Sequence, residues 1–259
     1  MGRNYKYKKI EDKTARGNFF LYGKNSVFER LKNNPASIKK IFFKEGFKDK
    51  DIIKFSESQR IEVEVVSARD LARIKNVENH QGVIAKIKQF AFTDFSDILT
   101  ADDKRILVFL DSVFDPVNVG AVIRLCACLG GFAVVIPKYN ACDITETVLH
   151  IASGGENYVP VAKVTNIVSA VRQAKDSGYW VAGTMADNLA DSIYETKMPF
   201  PLGIVLGSEG KGIRDGIAKV LDLKISIPME GAPLSLNINT AAAIICYEAV
   251  KQRCLYEKK

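Results

Sequence analysis

The stretch that decides the fold is RILVFLDSVFDPVNVGAVIRLC, residues 105–126. Its first part, Ile106–Leu110, is a run of five apolar residues, as expected of a strand that is buried on both faces. The chain then turns at Pro116, and the mostly apolar segment Val119–Leu129 predicts a helix. A buried strand followed at once by a helix is the repeating unit of a parallel α/β sheet.

The alternation of strand and helix continues toward the carboxyl end of the chain. Further strands are predicted at Phe132–Ile136, Val159–Val164, Trp180–Gly183, Leu202–Leu206 and Leu223–Ile227. Further helices are predicted from a capping-box-like start at Asp143 and Glu146 to Gly154-Gly155, over Ile167–Lys175 and over Leu236–Arg253. This order predicts an α/β domain over residues 105–259, with a mainly parallel sheet and helices on both faces.

A smaller α/β unit is predicted before this domain, over residues 18–90. Its strands are predicted at Ile38–Phe43, Ile61–Val66 and Val83–Ile87, and its helices at Asn25–Lys32, Asp51–Gln59 and Ala68–Ile74. Residues 91–104 show no clear periodicity, which indicates a connection between the two domains. Residues 1–17 carry six Lys and Arg residues against two acidic ones, which predicts a disordered basic tail.

The positive charge of the chain is concentrated in its first part. The net charge is +7, and residues 1–100 hold 21 Lys and Arg residues against 13 acidic ones, whereas residues 101–259 hold 16 against 17. A basic unit joined to a nearly neutral one indicates a polyanion-binding module beside a module with another task. A solvated basic face is the simpler alternative. Nucleic acid is favoured over an anionic membrane because no amphipathic helix with an aromatic face accompanies the charge.

Several classes of protein are excluded by composition. No stretch approaches the roughly 18 consecutive apolar residues of a membrane span. The basic start of the chain is not followed by an apolar segment, so we expect no secretory signal and a cytoplasmic protein. Five cysteines without a C-x-x-C pair and only two histidines indicate neither a disulfide scaffold nor a zinc site, so no metal is expected. A histidine base is therefore not expected either.

Polar residues follow the strand Ile106–Leu110, at the edge of the sheet where open parallel sheets bind ligands. Asn118 stands near the predicted start of the helix, where its simplest role is capping. Gly120 would permit close approach of a backbone. Arg124 lies between two apolar residues of this helix and is hard to explain as packing. It would either pair with a carboxylate in the core or bind a phosphate of a ligand.

A glycine-rich loop, Gly207-Ser-Glu-Gly-Lys-Gly212, follows another predicted strand directly. It is not a P-loop, because Val205 stands where that motif needs its first glycine and Gly212 follows the lysine instead of Ser or Thr. The alternative is a simple turn with no role in ligand binding. Glu209 between the glycines favours a ligand-binding loop. The absence of a P-loop motif argues against a nucleotide-binding enzyme.

A third segment, Ile227-Pro-Met-Glu-Gly-Ala-Pro-Leu-Ser-Leu-Asn-Ile-Asn239, connects the last predicted strand to the last helix. Ser235, Asn237 and Asn239 could each serve only as the N-cap of that Ala-rich helix. Each of the three segments alone is weak evidence of function.

Together, the three segments resemble the motifs of the SpoU/TrmH family of RNA ribose 2′-O-methyltransferases, in the order N-x-G-x-x-x-R, L-G-S-E-G-K-G and I-P-M-x-G-x-x-x-S-L-N. The resemblance covers residues 105–253. The first 90 residues resemble the L30e-like substrate-binding domain of that family, including the run His80-Gln81-Gly82. The subgroup that acts on large-subunit rRNA is the most similar. Leu125-Cys126 and Asn239 depart from the residues common in the family, Thr-Ala and Ser.

The resemblance implies a trefoil-knotted SPOUT domain that binds S-adenosylmethionine at the carboxyl end of its sheet. It also implies a homodimer with the site near the dimer interface, and a 23S-type rRNA or a ribosomal assembly intermediate as partner. The residues that align with cofactor contacts are Gly183, Thr184, Leu206, Gly207, Ile227, Met229 and Leu236. Those that align with polar active-site residues are Asn118, Arg124, Glu209, Ser235 and Asn237.

The implied reaction is attack of a ribose 2′-oxygen on the sulfonium methyl group. A guanidinium essentially never deprotonates in proteins, so Arg124 is expected to bind an RNA phosphate and stabilise the developing alkoxide instead of acting as a base. Glu209 would hold Arg124 or Asn118 in place. The alternatives are a tRNA substrate, an rRNA site that confers resistance, or a non-catalytic RNA-binding protein of the same fold.

Overall fold

The computed structural model of the chain describes residues 9–10, 19–101, 104–185, 190–208, 210–232 and 234–256. The strands in these residues are β1 (Lys9–Ile10), β2 (Phe19–Tyr22), β3 (Ile38–Lys44), β4 (Val63–Val66), β5 (Val83–Ile87), β6 (Phe92–Thr93), β7 (Ile106–Leu110), β8 (Phe132–Pro137), β9 (Val161–Val164), β10 (Trp180–Thr184), β11 (Asp191–Ser192), β12 (Leu202–Leu206) and β13 (Leu223–Ser226). The helices are α1 (Lys24–Asn33), α2 (Lys50–Ser58), α3 (Ala68–Ile74), α4 (Phe95–Thr100), α5 (Pro116–Leu129), α6 (Glu146–Ala152), α7 (Ile167–Asp176), α8 (Asp215–Ala218) and α9 (Ile238–Tyr256).

The N-terminal unit is a four-stranded sheet in the order β2-β5-β3-β4, in which β3 and β4 are parallel and the other pairs antiparallel. The residues of β5 alternate between two cores, as the period of two in a strand requires. Val83 and Ala85 join a core with Leu31 of α1, whereas Ile84 packs with Leu71 of α3 on the opposite face. Helices therefore cover both faces of this sheet.

The C-terminal domain is built on a seven-stranded, fully parallel sheet in the order β11-β13-β10-β12-β7-β8-β9. Every residue of β7 is buried, and its side chains alternate between two cores. Val108 packs with residues of α5, α6 and α9 on one face, whereas Phe109 packs with residues of α4, α7 and α8 on the other. The predicted fold class, a mainly parallel sheet with helices on both faces, is confirmed.

The strand order places three loops beside one another. The chain runs outward from β7 through β8 to β9, returns to β10, inserts β12 between β10 and β7, and adds β13 outside β10. Because these strands are parallel, the loops after β10, β12 and β13 leave the sheet at the same edge. After β13, the chain returns as α9 and packs against α5. The knot implied by the resemblance stays a prediction.

The structure corrects two local predictions. The segment 91–104 is not without pattern, since it contains β6 and α4, and α4 buries Phe95, Ile98 and Leu99 against the large sheet. Helix α6 is capped by Thr145, whose side chain accepts a hydrogen bond from the backbone N–H of Val148, and not by Asp143. The carboxylate of Asp143 instead accepts hydrogen bonds from its neighbour in the chain and from a lysine.

Most of the predicted basic tail, residues 1–8 and 11–17, lies outside the described residues. Lys9–Ile10, within that tail, forms β1 and pairs antiparallel with β6. In the described part of the chain, no helix combines the length and the apolar character that crossing a bilayer requires.

Candidate active site

The three loops at the carboxyl edge of the large sheet enclose a cavity of about 450 Å³. Thr184 ends β10, Leu206 ends β12, and Ile227 follows β13; all three line the cavity. The segment that leads into α9 closes it with Ser235 and Asn237, which are exposed at the rim. The second and third sequence motifs, which begin at Leu206 and at Ile227, therefore meet around one space.

The wall of the cavity is apolar at its base and polar at its rim. Buried Leu206, Ile225, Ile238 and Ile245 form the base. Ile238, Ala241 and Ile245 are spaced by three and four residues, so one face of α9 points into the cavity. That helical spacing is the signal that could have identified Ala241 and Ile245, which the motif alignment missed. The polar side chains of Thr184, Ser208, Ser235 and Asn237 complete the lining.

The glycine-rich loop after β12 folds back on itself beside the cavity. The backbones of Ser208 and Gly212 exchange two hydrogen bonds, with N···O distances of 2.9 and 3.2 Å. A Cβ atom at Gly207 would lie 2.5 Å from the carbonyl oxygen of Gly212 and would overlap the backbone of that residue. Gly210 and Gly212 have φ angles of +82° and +66°, which glycine adopts without strain. The glycines are thus required by this closed loop.

A buried carboxylate ties this loop to the segment that follows β7. Asp111 is fully buried, and its Oδ1 accepts hydrogen bonds from Nε and Nη2 of Arg214, at 2.7 and 2.6 Å. Its Oδ2 accepts a third hydrogen bond from the backbone N–H of Arg214, at 3.0 Å. Arg214 follows the glycine-rich loop by two residues, and Asp111 begins the segment that leads to Asn118. No local sequence pattern indicates this contact between residues 103 positions apart.

Asn118 does not cap its helix. Asp115 is the N-cap of α5, and its carboxylate accepts a hydrogen bond from the N–H of Val117, so the helix begins at Pro116 and includes Asn118. The buried Asn118 accepts a hydrogen bond from Nδ2 of Asn239 on α9, at 2.8 Å. Asn237, in contrast, does cap α9, since its Oδ1 accepts a hydrogen bond from the N–H of Thr240.

Arg124 is exposed, so the idea that it is a buried arginine of the core is wrong. Successive helix residues are 100° apart, and position 124 therefore lies on the same open face of α5 as Val117, Ala121 and Cys128. Its side chain forms no hydrogen bond or ion pair with any residue that the structure describes. It lines a second cavity of about 350 Å³, between α5 and the N-terminal unit, and not the cavity at the sheet edge.

Two other predicted site residues, Asn118 and Gly183, do not line the cavity. Gly183 faces away from it, because a Cβ atom there would lie 2.9 Å from Cδ1 of Ile213 and would overlap Leu221. Glu209 lies outside the described residues.

The Gly120 backbone is approached closely by α6, since a Cβ atom there would lie 2.7 Å from Cβ of Ile151. The function of Gly120 is therefore helix packing.

Both domains of the chain match known protein families. Residues 105–247 match the model of the SpoU rRNA methylase family, and residues 20–93 match the model for RNA 2′-O ribose methyltransferase substrate binding. The chain belongs to the SpoU rRNA methylase family. The predicted enzyme class, an S-adenosylmethionine-dependent RNA 2′-O-methyltransferase, and its cofactor are confirmed by this membership.

Relatives match almost the whole chain. The 23S rRNA (guanosine-2′-O-)-methyltransferase RlmB of Salmonella typhimurium is 33% identical over 239 residues, which are 90% of this chain and 98% of the relative. The SpoU methyltransferase AviRb of Streptomyces viridochromogenes, solved with its cofactor AdoMet, has the same fold, with a TM-score of 0.76, 22% identity and coverage of 92% and 91% of the two chains. The A. aeolicus TrmH/SpoU tRNA modifying enzyme is 29% identical, with a TM-score of 0.54, and covers 63% of this chain and 82% of its own.

The residues around the cavity fit S-adenosylmethionine. A volume of about 450 Å³ lies within the usual range for small-molecule sites, roughly 300–1,000 Å³. The apolar base suits the flat adenine ring, and the polar rim suits the ribose and amino-acid groups. Thr184, Leu206, Gly207, Ile227, Met229 and Leu236, all predicted from the motifs as cofactor contacts, line this cavity.

Asp111→Asn is expected to weaken S-adenosylmethionine binding about tenfold, or ~1.4 kcal/mol. The substitution keeps the size of the side chain but removes the charge that strengthens its hydrogen bonds to Arg214, and such bonds contribute about 1.5–3 kcal/mol. The loop after β12 would then be held less firmly beside the cavity. Isothermal titration calorimetry measures the affinity. The matched control is Asp215→Asn, the same charge change at an exposed position next to Arg214, and equal affinities of the two variants would contradict the assignment.

Proposed function

We propose that the protein methylates the ribose 2′-hydroxyl of a guanosine in large-subunit rRNA, either free or in a ribosomal assembly intermediate. The observation that carries this proposal is the match to the Salmonella 23S rRNA enzyme across both domains, over 98% of that relative. The tRNA modifying relative from A. aeolicus matches only 63% of this chain. The basic N-terminal unit supplies the charge for RNA binding. This substrate implies a cytoplasmic protein.

Each part of the site contributes differently to the proposed reaction. Bound S-adenosylmethionine supplies an electrophilic methyl group on a sulfonium centre. The cavity walls fix its position, and alignment of two reactants can lower a barrier by roughly 7–11 kcal/mol in favourable cases. The Asn118–Asn239 hydrogen bond fixes the helix pair α5 and α9 behind the site. Ser235 and Asn237, which are exposed at the rim of the cavity, are proposed to contact the incoming ribose.

Arg124 provides the positive charge in this proposal. Its planar guanidinium binds an RNA phosphate and stabilises the negative charge that develops on the 2′-oxygen. Glu209 is proposed to orient Arg124 or Asn118. Arg124 does not line the cavity of its own chain. The arginine that acts at this cavity must therefore come from another copy of the chain.

A homodimer supplies that copy. The open face of α5 carries the exposed Val117 beside Arg124, and the adjacent open face of α9 carries the exposed Ile244 and Tyr247. Large apolar side chains concentrated on two packed helices indicate a contact surface. Two copies related by a two-fold axis would cover this surface and place Arg124 of one copy near the cavity of the other. Light scattering should give twice the chain mass.

Methylation assays test the substrate. Purified protein is incubated with labelled S-adenosylmethionine and unmodified rRNA or tRNA, and the RNA is digested to nucleosides. The expected product is 2′-O-methylguanosine from rRNA alone. Label in tRNA alone would overturn the substrate and keep the chemistry, whereas label only in immature ribosomal particles would identify an assembly intermediate. Cofactor binding without label in any of these RNAs would contradict the proposal.

A further inference from the structure

A buried ion pair joins the N-terminal RNA-binding domain to the methyltransferase domain. Nη2 of Arg30, on α1, lies 2.9 Å from Oε1 of Glu156, in the turn that follows α6. The side chains are 5% and 0% exposed. Nη1 of Arg30 also donates a hydrogen bond to Ser37, and Oε1 of Glu156 accepts one from Asn157. The pair therefore lies inside the junction and not at its edge.

Desolvation makes a buried ion pair an inefficient way to stabilise the contact between two domains. Removing two charges from water carries a large desolvation penalty, and apolar residues of similar size often stabilise a junction equally well or better. Oε2 of Glu156 and Nε of Arg30 are buried without a hydrogen-bond partner among the described residues, so the cost is not fully offset. Burial accordingly raises the pKa of Glu156 above its ordinary value, although Arg30 opposes the shift. Unlike an apolar contact, such a pair is satisfied in only one arrangement of the two domains.

Neighbouring contacts select the same arrangement. The ring of His150, on α6, stacks on Tyr22 with centroids 4.2 Å apart. The backbone N–H of Phe20 donates a hydrogen bond to Glu146, also on α6, at 2.6 Å. The hydroxyl of Tyr158 donates a hydrogen bond across the junction to the carboxylate of Glu29. These contacts involve β2 and α1 on one side and residues 146–158 on the other.

The junction is attached directly to the helix that carries the site residues. A Cβ atom at Gly155, next to Glu156, would lie 3.1 Å from Cα of Arg124. Helix α6, which precedes this turn, packs closely on Gly120, and Gly120 lies on α5 together with Arg124. A fixed junction therefore fixes the position of the RNA-binding domain relative to Asn118 and Arg124.

We propose that Arg30 and Glu156 are positioning residues that hold the RNA-binding domain in one orientation and thereby determine which nucleotide of the bound RNA reaches the cavity. The proposal rests on the RNA substrate proposed above. No described residue that lines the cavity belongs to the N-terminal domain. RNA held by that domain would therefore lie away from the cavity, and a rigid junction would determine which nucleotide reaches it. A swivelling domain would present several neighbouring riboses to the same cavity.

The test uses the full-length protein with the double substitution Arg30→Met and Glu156→Leu, which removes both charges and leaves no unpaired one. Tyr158→Phe, a milder variant, removes only the hydroxyl that crosses the junction. Lys175→Met is the control, because it breaks a partly exposed ion pair of the methyltransferase domain away from the junction. The measurements are S-adenosylmethionine affinity, kcat and KM with rRNA, a map of the methylated nucleotides, and small-angle X-ray scattering.

The double variant is expected to bind S-adenosylmethionine within twofold of the wild type, to lose at least tenfold in kcat/KM for rRNA, and to label several nucleotides around the target. Tyr158→Phe should lose two- to threefold in kcat/KM for rRNA and bind S-adenosylmethionine as the wild type does, and Lys175→Met should change neither quantity. Scattering should show a larger radius of gyration for the double variant only. Unchanged target selection and scattering would overturn the proposal, as would loss of cofactor binding in parallel with RNA methylation. Failure of the RNA substrate itself would appear in the wild type, and scattering would still decide whether the pair fixes the domain.

Discussion

Gly207→Ala should abolish measurable S-adenosylmethionine binding, with an affinity at least 100-fold below that of the wild type, or about 2.7 kcal/mol. The added Cβ atom would overlap the backbone of Gly212, where the loop after β12 closes on itself. Backbone atoms cannot rotate away as a flexible side chain can, so the loop must open. Leu206, Gly207, Ser208, Gly210 and Gly212 all line the cavity, and an open loop removes that wall.

Calorimetric titration of Gly207→Ala with S-adenosylmethionine measures this loss. Gly216→Ala is the matched control, because it adds the same atom in α8, outside the cavity lining, where the nearest atom to the new Cβ is an ordinary contact at 3.8 Å and φ is not positive. The control should bind the cofactor as the wild type does. Thermal unfolding reports the cost of overpacking, typically 1–3 kcal/mol, independently of binding. Binding of Gly207→Ala within threefold of the wild type would show that the loop can close without this glycine.

Local sequence patterns predicted the secondary structure of the large sheet well. The run Ile106–Leu110 was predicted as a doubly buried strand, and all five residues of β7 are buried. The same reasoning placed Leu202–Leu206, which forms β12 with identical bounds. Such runs are reliable because a strand covered on both faces must be apolar at every position. Helix starts were predicted less well, since Asp115 and Thr145 were overlooked as caps among several polar candidates.

Strand order and long-range ion pairs could not be predicted from those patterns. The insertion of β12 between β7 and β10 depends on packing across the whole domain, and no local period records it. Asp111 and Arg214 are 103 positions apart, and Arg30 and Glu156 are 126 apart. Each of these residues, read alone in the sequence, is an ordinary charged residue. Their importance follows only from burial, which the fold determines.

Part of the site could be predicted, because each of its motifs is a continuous segment of sequence. The segments around Gly207 and Ser235 each form one wall, so resemblance in sequence carried over to the cavity. Arg124 was harder to interpret, because its apolar neighbours in the sequence suggested a buried helix. In the structure those neighbours face the core, whereas Arg124 faces outward beside Val117 and Cys128. The absence of Arg124 from the cavity of its own chain is the reason for proposing a site shared between two copies.

Arg124→Ala should reduce methyl transfer to RNA about 10²- to 10³-fold, which is the usual loss when one group that stabilises a developing oxyanion is removed. Its affinity for S-adenosylmethionine should not change, because Arg124 does not line the cavity that fits the cofactor. Arg124→Lys should recover only part of the rate, since an ammonium cannot form the paired hydrogen bonds of a guanidinium with a phosphate. Full activity of the lysine variant would show that positive charge alone suffices.

Mixed dimers decide where Arg124 acts. One subunit carries Arg124→Ala and the other carries Gly207→Ala, and two different affinity tags isolate the mixed species. If Arg124 serves the cavity of the other copy, one of the two sites combines an intact cavity with an intact arginine, and the mixed dimer should work at about half the wild-type rate. If Arg124 serves its own cavity, both sites are damaged and the mixed dimer should be as inactive as either parent. Because the homodimers of both variants are expected to be inactive, any restored activity can come only from a shared site.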